Sequence, residues 1–279
     1  MRDLGLEDLI KRALAEDIGH GDITTMSLIP EEQEDRGIFY CKAEGVLAGI
    51  DVCQAVFVYL DAEVKFESLK QDGDSLQPGD TIAVVHGKTQ TLLTGERVAL
   101  NFLQRLSGIA SKTRCMTEVI RYSKAELLDT RKTTPGLRVL EKYAVNIGGA
   151  RNHRFGLYDG VMIKDNHIKA VGSIQKAISG ARKSVPHTIK IEVEVENLQQ
   201  LQEAVDARAD IILLDNMDSA MMKEAVELVN GRALLEASGG INEENLVEVS
   251  KTGVDFISVG ALTHSVSSLD ISFDIEAVN

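Results

Sequence analysis

Basic side chains are concentrated in one segment of an otherwise acidic sequence. From Arg131 to Lys169 the chain carries eight Arg or Lys residues and three acids, whereas its formal net charge is -13. Turn-forming residues lie among these cations, as in Thr133-Thr134-Pro135-Gly136 and Gly148-Gly149. A solvated basic helix face would instead place acids at helical spacing from the cations. The segment therefore predicts a binding site for an anionic molecule.

The polar residues of this segment, and of the segments after it, follow short apolar runs. The predicted strands are 125–130, 160–165, 188–196, 210–216, 232–240 and 255–261. The residues near their carboxyl ends are Arg131, Lys132, Lys164, Glu194, Asp215, the Ser238-Gly239-Gly240 turn and Gly260. In α/β barrels the active site forms at the carboxyl ends of the strands, from residues that several strands supply. Helix N-caps would explain one or two acids at such positions, but not the cations and two glycine turns at one rim.

These residue types suit a carboxylated acceptor beside a phosphorylated sugar. Arginine forks match the two oxygens of a carboxylate. The candidates for binding an aromatic dicarboxylate are Arg97, Arg131, His153, Arg154 and Lys164. The glycine turns would expose backbone N–H groups to phosphate. Glu194 and Asp215 could hold Mg²⁺ directly or through water, or bind sugar hydroxyls.

Alternating strands and helices predict how these residues are positioned. Helical patterns follow most of the six strands, at 135–147, 173–184, 197–208, 218–229 and 242–252. This alternation predicts parallel strands joined by right-handed crossovers. Six such units fit a closed or nearly closed α/β barrel better than a doubly wound sheet, and no GxGxxG follows the first strand.

A second domain is predicted upstream of the barrel. An amphipathic helix opens the sequence, strands are predicted at 36–48, and residues 50–60 fit a buried helix or a strand. Short strands are predicted up to residue 93, before a helical pattern at 94–122 that is interrupted at Ser107-Gly108. Residues 1–108 are therefore expected to form an α/β sandwich domain and 109–266 the barrel, with a strand in 267–279 returning to the first domain.

The composition excludes several classes of protein. With a sequence pI near 5.0, nucleic acid is not expected as the main partner. No apolar run has the length of a membrane span, and the N-terminus lacks the apolar block of a signal peptide. Cys41, Cys53 and Cys115 have no metal-site spacing and are expected to be reduced and buried. These features predict a cytoplasmic protein.

Eight segments carry a resemblance to a known family. They are EDIGHGDITT, GERVALNFLQRLSGIAS, DTRKTTPGLR, GGARNHRFGLYDGVMIKDNHI, IEVEVEN, LLDNM, ASGGI and ISVGALTHS. Together they resemble the signature segments of the quinolinate phosphoribosyltransferase family, also called nicotinate-nucleotide pyrophosphorylase (carboxylating). The resemblance extends in order over nearly the whole chain.

This resemblance implies a fold and a reaction. The fold would be an N-terminal α/β sandwich on an incomplete α/β barrel of the type II phosphoribosyltransferase kind, working as a dimer or a multiple of dimers. Phosphoribose would pass from phosphoribosyl pyrophosphate to quinolinate, giving nicotinate mononucleotide, pyrophosphate and CO2 for NAD biosynthesis. Mg²⁺ would be the cofactor.

The resemblance also assigns residues to the two substrates. The quinolinate side comprises Arg97, Thr130, Arg131, His153, Arg154 and Lys164. The phosphoribosyl pyrophosphate side comprises Lys132, Glu194, Asp215, Ser238, Gly239, Gly240, Val259, Gly260 and Ala261. The expected catalytic residues are Lys132, Lys164, Glu194 and Asp215, and Glu194 and Asp215 are the expected metal ligands. Arg97 would reach the site from a neighbouring subunit.

Two other functions remain open at this point. One is a paralogous pyrophosphorylase-like enzyme of molybdenum metabolism, against which the intact basic pocket argues. The other is a non-catalytic sensor of a phosphorylated ligand on the same barrel. Lys132, Glu194 and Asp215 together are more than phosphate capture requires.

Overall fold

Two compact units make up the chain in a computed structural model that describes residues 5–276. The first unit comprises the described residues up to Lys112 and those from Val266 onward, and the second comprises Thr113–Ser265. Residues 1–4 of the predicted first domain and 277–279 of the predicted returning strand lie outside the described residues.

The first unit combines four helices with six strands. Its helices are α1 (Leu6–Ile18), α2 (Ile23–Leu28), α3 (Ile50–Leu60) and α4 (Thr89–Val119), of which α4 continues into the second unit. Its strands are β1 (Glu34–Cys41), β2 (Gly45–Val46), β3 (Lys65–Ser68), β4 (Ser75–Leu76), β5 (Thr81–Lys88) and β12 (Ile271–Glu276). Residues 50–60, which the sequence left open between helix and strand, form the helix α3.

An antiparallel sheet of order β12-β1-β5-β3 forms the centre of the first unit. Alternate residues of β1 are buried, as expected for a strand with one face on a core. Four aromatic rings from this sheet and from α3 pack together there: Phe39, Phe57, Phe66 and Phe273, with neighbouring centroids 4.7–6.4 Å apart. β12 pairs antiparallel with β1, so the end of the described chain belongs to this sheet.

The helix α4 corrects two predictions. Residues 89–93, predicted as a strand, begin this helix, because Leu92 continues a helical apolar face with Ala99 and Leu103. The predicted interruption at Ser107-Gly108 is absent as well. A Cβ on Gly108 would lie 2.2 Å from the Ser267 carbonyl oxygen. The glycine therefore permits close packing of the returning chain on an unbroken helix.

The second unit alternates strands and helices. Its strands are β6 (Glu126–Leu128), β7 (Val161–Ile163), β8 (Ile191–Val195), β9 (Ile211–Asp215), β10 (Leu234–Ser238) and β11 (Phe256–Ser258). Its further helices are α5 (Arg138–Ile147), α6 (Asp165–Val171), α7 (Ile174–Ser184), α8 (Leu198–Asp206), α9 (Ser219–Val229), α10 (Leu246–Ser250) and α11 (Ala261–His264). The helix predicted at 242–252 is shorter than expected. The helix α6 lies outside the predicted helical patterns.

All six strands of the second unit are parallel, in the order β6-β11-β10-β9-β8-β7. Strands β7 to β11 therefore follow one another around the sheet, and β6 returns beside β11. Among the described residues β6 and β7 are not paired, and only an isolated bridge from Leu128 to Arg151 extends the β6 edge. The predicted incomplete α/β barrel is confirmed.

Two further observations concern membrane spans and thiols. None of the helices between residues 5 and 276 combines the length and the apolar character needed to cross a membrane. All three cysteines are free thiols. Cys41 and Cys53 are buried as predicted, whereas Cys115 is exposed, contrary to the prediction.

Candidate active site

A cavity of about 480 Å³, here called the front cavity, lies at the carboxyl ends of the barrel strands. Its lining includes most of the residues predicted for the site: Thr130, Arg131, Lys132, His153, Arg154, Lys164, Glu194, Asp215, Ser238, Gly239 and Gly240. Strand ends far apart in sequence supply these residues because parallel strands present all their carboxyl ends at one rim.

An adjoining cavity of about 270 Å³ extends this rim toward α11. It shares Lys132 and the 238–240 turn with the front cavity and adds Gly260 and Ala261. Val259 lines neither cavity, since its side chain is buried and its amide N–H donates to Leu128 O at 2.9 Å. Arg97 lies on α4 in the first unit, with an exposed side chain.

Four of the eight cations in the basic segment line the front cavity: Arg131, Lys132, Arg154 and Lys164. Lys164 Nζ donates to Glu194 Oε2 at 2.8 Å, and Arg154 Nη1 donates to Gly160 O at 2.9 Å. Arg131 Nε is buried and has no hydrogen-bond partner among the described residues. This arrangement leaves positive charge facing a cavity large enough for a small anion.

The other four cations, none of them predicted for the site, have structural partners. Arg138 donates to Phe155 O and Arg131 O, and Arg151 pairs with Glu126 at 2.5 Å on the surface. Lys169 pairs with Asp165 at 2.7 Å, four residues earlier on α6. Lys142 is fully buried. The number of charges in the segment does not distinguish substrate-binding cations from structural ones, because it does not show which face of α5 is buried.

The ion pair between Lys142 and Asp129 holds the loop that carries two site residues. The two side chains are fully buried, with Nζ 2.5 Å from Oδ1. Lys142 Nζ also donates to His153 O, while Asp129 accepts from His153 N and from Asn152 Nδ2. Burial raises the pKa of Asp129 and lowers that of Lys142, although the pairing opposes both shifts. The pair thereby positions His153 and Arg154 at the cavity.

Two glutamates in the barrel interior contact His153, and neither was predicted. His153 Nε2 lies 3.2 Å from Glu192 Oε2 and 3.6 Å from Glu236 Oε2. Burial and then the charge of Glu192 raise the pKa of Glu236 to about 7. Burial lowers the pKa of His153, but the hydrogen bond with Glu192 and the carboxylate charges outweigh it and raise the pKa. Nδ1 accepts from the Arg154 N–H at 2.7 Å, so Nε2 carries the proton that faces Glu192.

The acidic side of the front cavity includes Asp215 and Glu194. Asn216, at φ 53°, donates from Nδ2 to Asp215 Oδ2, and its amide N–H donates to Ser238 O. A Cβ at Gly239 would lie 2.3 Å from Asn216 Oδ1, so this turn requires glycine. Two carboxylates at one cavity fit Mg²⁺, which commonly binds one or two carboxylates together with substrate phosphates.

Strand alternation was the signal that could have found the missed residues. Residues two apart on a strand face the same side. Glu192 precedes Glu194 by two positions, and Glu236 precedes Ser238 by two. The other cavity-lining residues that were not predicted are Met162, Leu213, Asn216 and Ser258. An inward face assigned from Glu194 and Ser238 would have included both glutamates.

The sequence matches two family models that together span most of the chain. The model described as "Quinolinate phosphoribosyl transferase, N-terminal domain" matches residues 22–107, and the one for the C-terminal domain of that family matches residues 109–274. Both units of the structure are therefore represented.

Relatives and solved structures agree with this match. The chain is 48% identical to the "Probable nicotinate-nucleotide pyrophosphorylase [carboxylating]" of Bacillus subtilis, over 100% of this chain and 96% of the relative. It is 44% identical to the chloroplastic nicotinate-nucleotide pyrophosphorylase [carboxylating] of Arabidopsis thaliana, over 97% of this chain and 83% of the relative. The crystal structure of NadC from Streptococcus pyogenes superposes with a TM-score of 0.94 at 44% identity, covering 100% of both chains.

Proposed function

The chain belongs to the quinolinate phosphoribosyltransferase family, and we propose from this premise that it joins phosphoribose to quinolinate and releases CO2. Phosphoribosyl pyrophosphate is the donor, and the products are nicotinate mononucleotide, pyrophosphate and CO2. The lining of the front cavity supports this proposal, because cations and carboxylates from the ends of five strands meet there. One side of this cavity suits a dicarboxylate, and the other suits a sugar phosphate.

The acceptor side is the part of the cavity lined by Arg131, Arg154 and Lys164. A guanidinium donates two parallel N–H groups to a carboxylate, which orients a planar dicarboxylate as well as binding it. Arg131 Nε, which has no described partner, is available for such a bond. Quinolinate bound in this way would present its ring nitrogen to the donor.

The donor side comprises Lys132, Glu194, Asp215 and the 238–240 turn. Lys132 would stabilise the negative charge that develops on the leaving pyrophosphate. The carboxylates of Glu194 and Asp215 would stabilise positive charge on the ribose as its bond to pyrophosphate breaks. We propose that these two carboxylates also hold Mg²⁺, which when bound neutralises charge on the pyrophosphate.

Decarboxylation follows from the first step. Once the ring nitrogen carries the ribose it is cationic, and it stabilises the electron pair left on the adjacent carbon when CO2 departs. The cations hold the substrate in place, so much of the rate enhancement is expected from positioning. A cavity rich in cations suits this sequence of steps.

An acceptor comparison tests the proposal. Purified protein with phosphoribosyl pyrophosphate and Mg²⁺ should convert quinolinate to nicotinate mononucleotide, with one CO2 and one pyrophosphate per turnover. Nicotinate, which lacks the second carboxylate, is the control acceptor and should give little product. Preference for another acceptor would favour the paralogous enzyme of molybdenum metabolism, and binding of phosphoribosyl pyrophosphate without turnover would favour a sensor.

We further propose that two subunits complete each site, with Arg97 supplied across the interface. The side chain of Arg97 is more than half exposed, and its ion pair with Glu96, at 3.8 Å, lies on the surface of α4. Such a guanidinium is able to reach another molecule of the chain.

Mixed dimers test this arrangement. Arg97→Ala and Lys132→Ala proteins, each inactive alone, should recover roughly a quarter of wild-type activity after random subunit exchange, since half the dimers are hybrids with one intact site. A mixture of Lys132→Ala and Lys164→Ala is the control, because both residues belong to the barrel of one chain and no hybrid dimer then contains an intact site. Confirmed exchange without recovery would place Arg97 outside the active site.

A cytoplasmic location is also proposed. Both substrates are multiply charged small molecules that do not cross membranes unaided, which supports a location where they are made. Cell fractionation with an antibody to the protein would test it.

A further inference from the structure

A third cavity lies behind the front cavity, inside the same barrel. This rear cavity has a volume of about 420 Å³. Its lining includes Val161, Ile211 and Phe256, which are the first residues of β7, β9 and β11, together with Thr188, Ile189 and Lys190 before β8. It therefore lies toward the amino ends of the strands, opposite the rim that carries the front cavity.

Three residues line both cavities: His153, Arg154 and Glu236. Glu192, on the rear side, completes the boundary. One ligand atom each from His153, Glu192 and Glu236 lie within 4.8 Å of one another. The interior of an α/β barrel is usually filled by branched apolar side chains, so two carboxyl groups and an imidazole at this depth call for a chemical explanation.

The two glutamates are buried well beyond what an ordinary acidic side chain tolerates. Glu192 is 5% exposed and Glu236 is 2% exposed. Glu192 Oε1 and Glu236 Oε1 have no hydrogen-bond partner among the described residues. Two like charges this close in a buried site repel each other, which disfavours having both carboxyl groups ionised at once.

The groups around Glu236 favour its protonated form. Glu192 Oε2 lies 3.2 Å from His153 Nε2, and its carboxylate also faces Arg154. Glu236 is the more deeply buried, and burial together with the charge of Glu192 raises its pKa to about 7; His153 and Ser258 oppose this shift only in part. Glu236 therefore holds its proton up to a pH of about 7.

A metal ion is a poorer occupant of this cluster. A cation bound to His153 Nε2 would require the ring proton on Nδ1. The Arg154 N–H already points at Nδ1 from 2.7 Å, and two N–H groups cannot share that position. The geometry favours a proton at this cluster over a metal ion.

We propose that Glu236 is the acid that protonates the ring carbon after CO2 leaves, and that the rear cavity connects it with solvent. The inference rests on the proposed function, since only a decarboxylating reaction needs this proton. Glu236 lines the cavity that also presents Arg131, Arg154 and Lys164. A bound acceptor would thus lie between these cations and the buried acid.

The step balances in atoms and electrons. The carbon–carboxylate bond breaks, CO2 leaves as a neutral molecule, and the electron pair stays on the ring carbon beside the ribosylated nitrogen. The Glu236 O–H bond breaks as the new C–H bond forms, and that electron pair becomes the C–H bond. Glu236 is left as a carboxylate beside Glu192, an unfavourable pair of charges that takes up a proton from water.

Single-turnover measurements of pyrophosphate and CO2 test the proposal, with wild-type protein in excess over quinolinate. Both products should appear together in the wild type. In Glu236→Gln, which keeps the shape but cannot donate a proton, pyrophosphate release should stay within threefold while CO2 release slows at least tenfold. A ribosylated mononucleotide that still carries both carboxyl groups should accumulate and be visible by mass spectrometry. Glu248→Gln, an exposed glutamate on α10, is the matched control.

The outcomes separate the possible failures. If CO2 keeps pace with pyrophosphate in Glu236→Gln, Glu236 is not the acid and the proposal is overturned. If the wild type forms neither product, the proposed function itself fails. If Glu236→Gln does not fold, the wild-type pH profile decides. CO2 release should then fall as the pH rises through about 7 while pyrophosphate release does not, and parallel profiles would overturn the proposal.

Discussion

Replacing Lys142 by Met should destabilise the protein strongly, although Lys142 touches no predicted substrate. Methionine retains most of the apolar stem but leaves Asp129 as a buried charge without its cation, and it removes the bond to His153 O. Breaking a buried ion pair from one side costs about 3–5 kcal/mol. At about 2–4 °C per kcal/mol for a domain of this size, the midpoint of thermal unfolding should fall by about 6–20 °C.

The assay is thermal unfolding by calorimetry, together with a titration of quinolinate. Quinolinate should bind more weakly to Lys142→Met, because the loop carrying His153 and Arg154 loses the hydrogen bond from Lys142 Nζ to His153 O. Adding Asp129→Asn should restore much of the stability, since the double variant has no uncompensated charge. Lys169→Met removes an exposed ion pair and serves as the control, with no measurable loss expected. A Lys142→Met protein as stable as this control would refute the role given to the buried pair.

Three further predictions concern the cavity. Arg154→Ala should weaken quinolinate binding by about 2–5 kcal/mol while leaving phosphoribosyl pyrophosphate affinity nearly unchanged. Equal weakening of both ligands in calorimetry would show that Arg154 does not belong to the acceptor side of the cavity. Activity should vanish with a chelator and return with Mg²⁺, and Asp215→Asn should raise the Mg²⁺ concentration needed for activity; full activity in chelator would show that the reaction does not need the metal. Because the folded pKa of Glu236, about 7, lies above its ordinary 4.5, its contribution to stability is full below pH 4.5 and is lost as pH rises through 7. Between pH 4.5 and 7 the free energy of unfolding of Glu236→Gln should therefore rise by up to about 3 kcal/mol relative to that of the wild type, as measured by denaturant titration. A difference that does not change with pH would contradict the raised pKa.

The barrel could be predicted from sequence because its strands are short, apolar and followed by polar stops. Parallel strands bring all their carboxyl ends to one rim, so Lys164, Glu194 and Asp215 could be grouped without coordinates. The resemblance in the surrounding segments pointed to the same residues. Their presence in one cavity is a consequence of strand direction, which the alternation of strands and helices already implies.

Burial was harder to infer from residue type. Lys142 and Arg131 are both cations in one basic segment, yet only the structure shows that Lys142 faces Asp129 inside the protein. Glu192 and Glu236 escaped notice because a glutamate inside an apolar strand is expected to face solvent. The curvature of the sheet places one face of each strand inside the barrel, and the alternation of Glu192 with Glu194 indicates that face only once Glu194 is assigned to the interior.

Close packing was misinterpreted for a related reason. Ser107-Gly108 suggested a break in α4, because glycine and serine have low intrinsic propensities for the interior of a helix. The contact of Gly108 with the chain at Ser267 depends on residues more than 150 positions away in sequence. Tertiary contacts of that kind override local propensity and cannot be derived from a window of sequence.

A crystal structure of this protein with quinolinate bound would test the assignment of the front cavity directly. The two carboxylates of quinolinate should lie in the front cavity, within hydrogen-bond distance of Arg131, Arg154 and Lys164. The ring nitrogen should face the side formed by Lys132 and Asp215. Quinolinate bound away from these cations, or in the rear cavity alone, would show that this rim does not hold the acceptor.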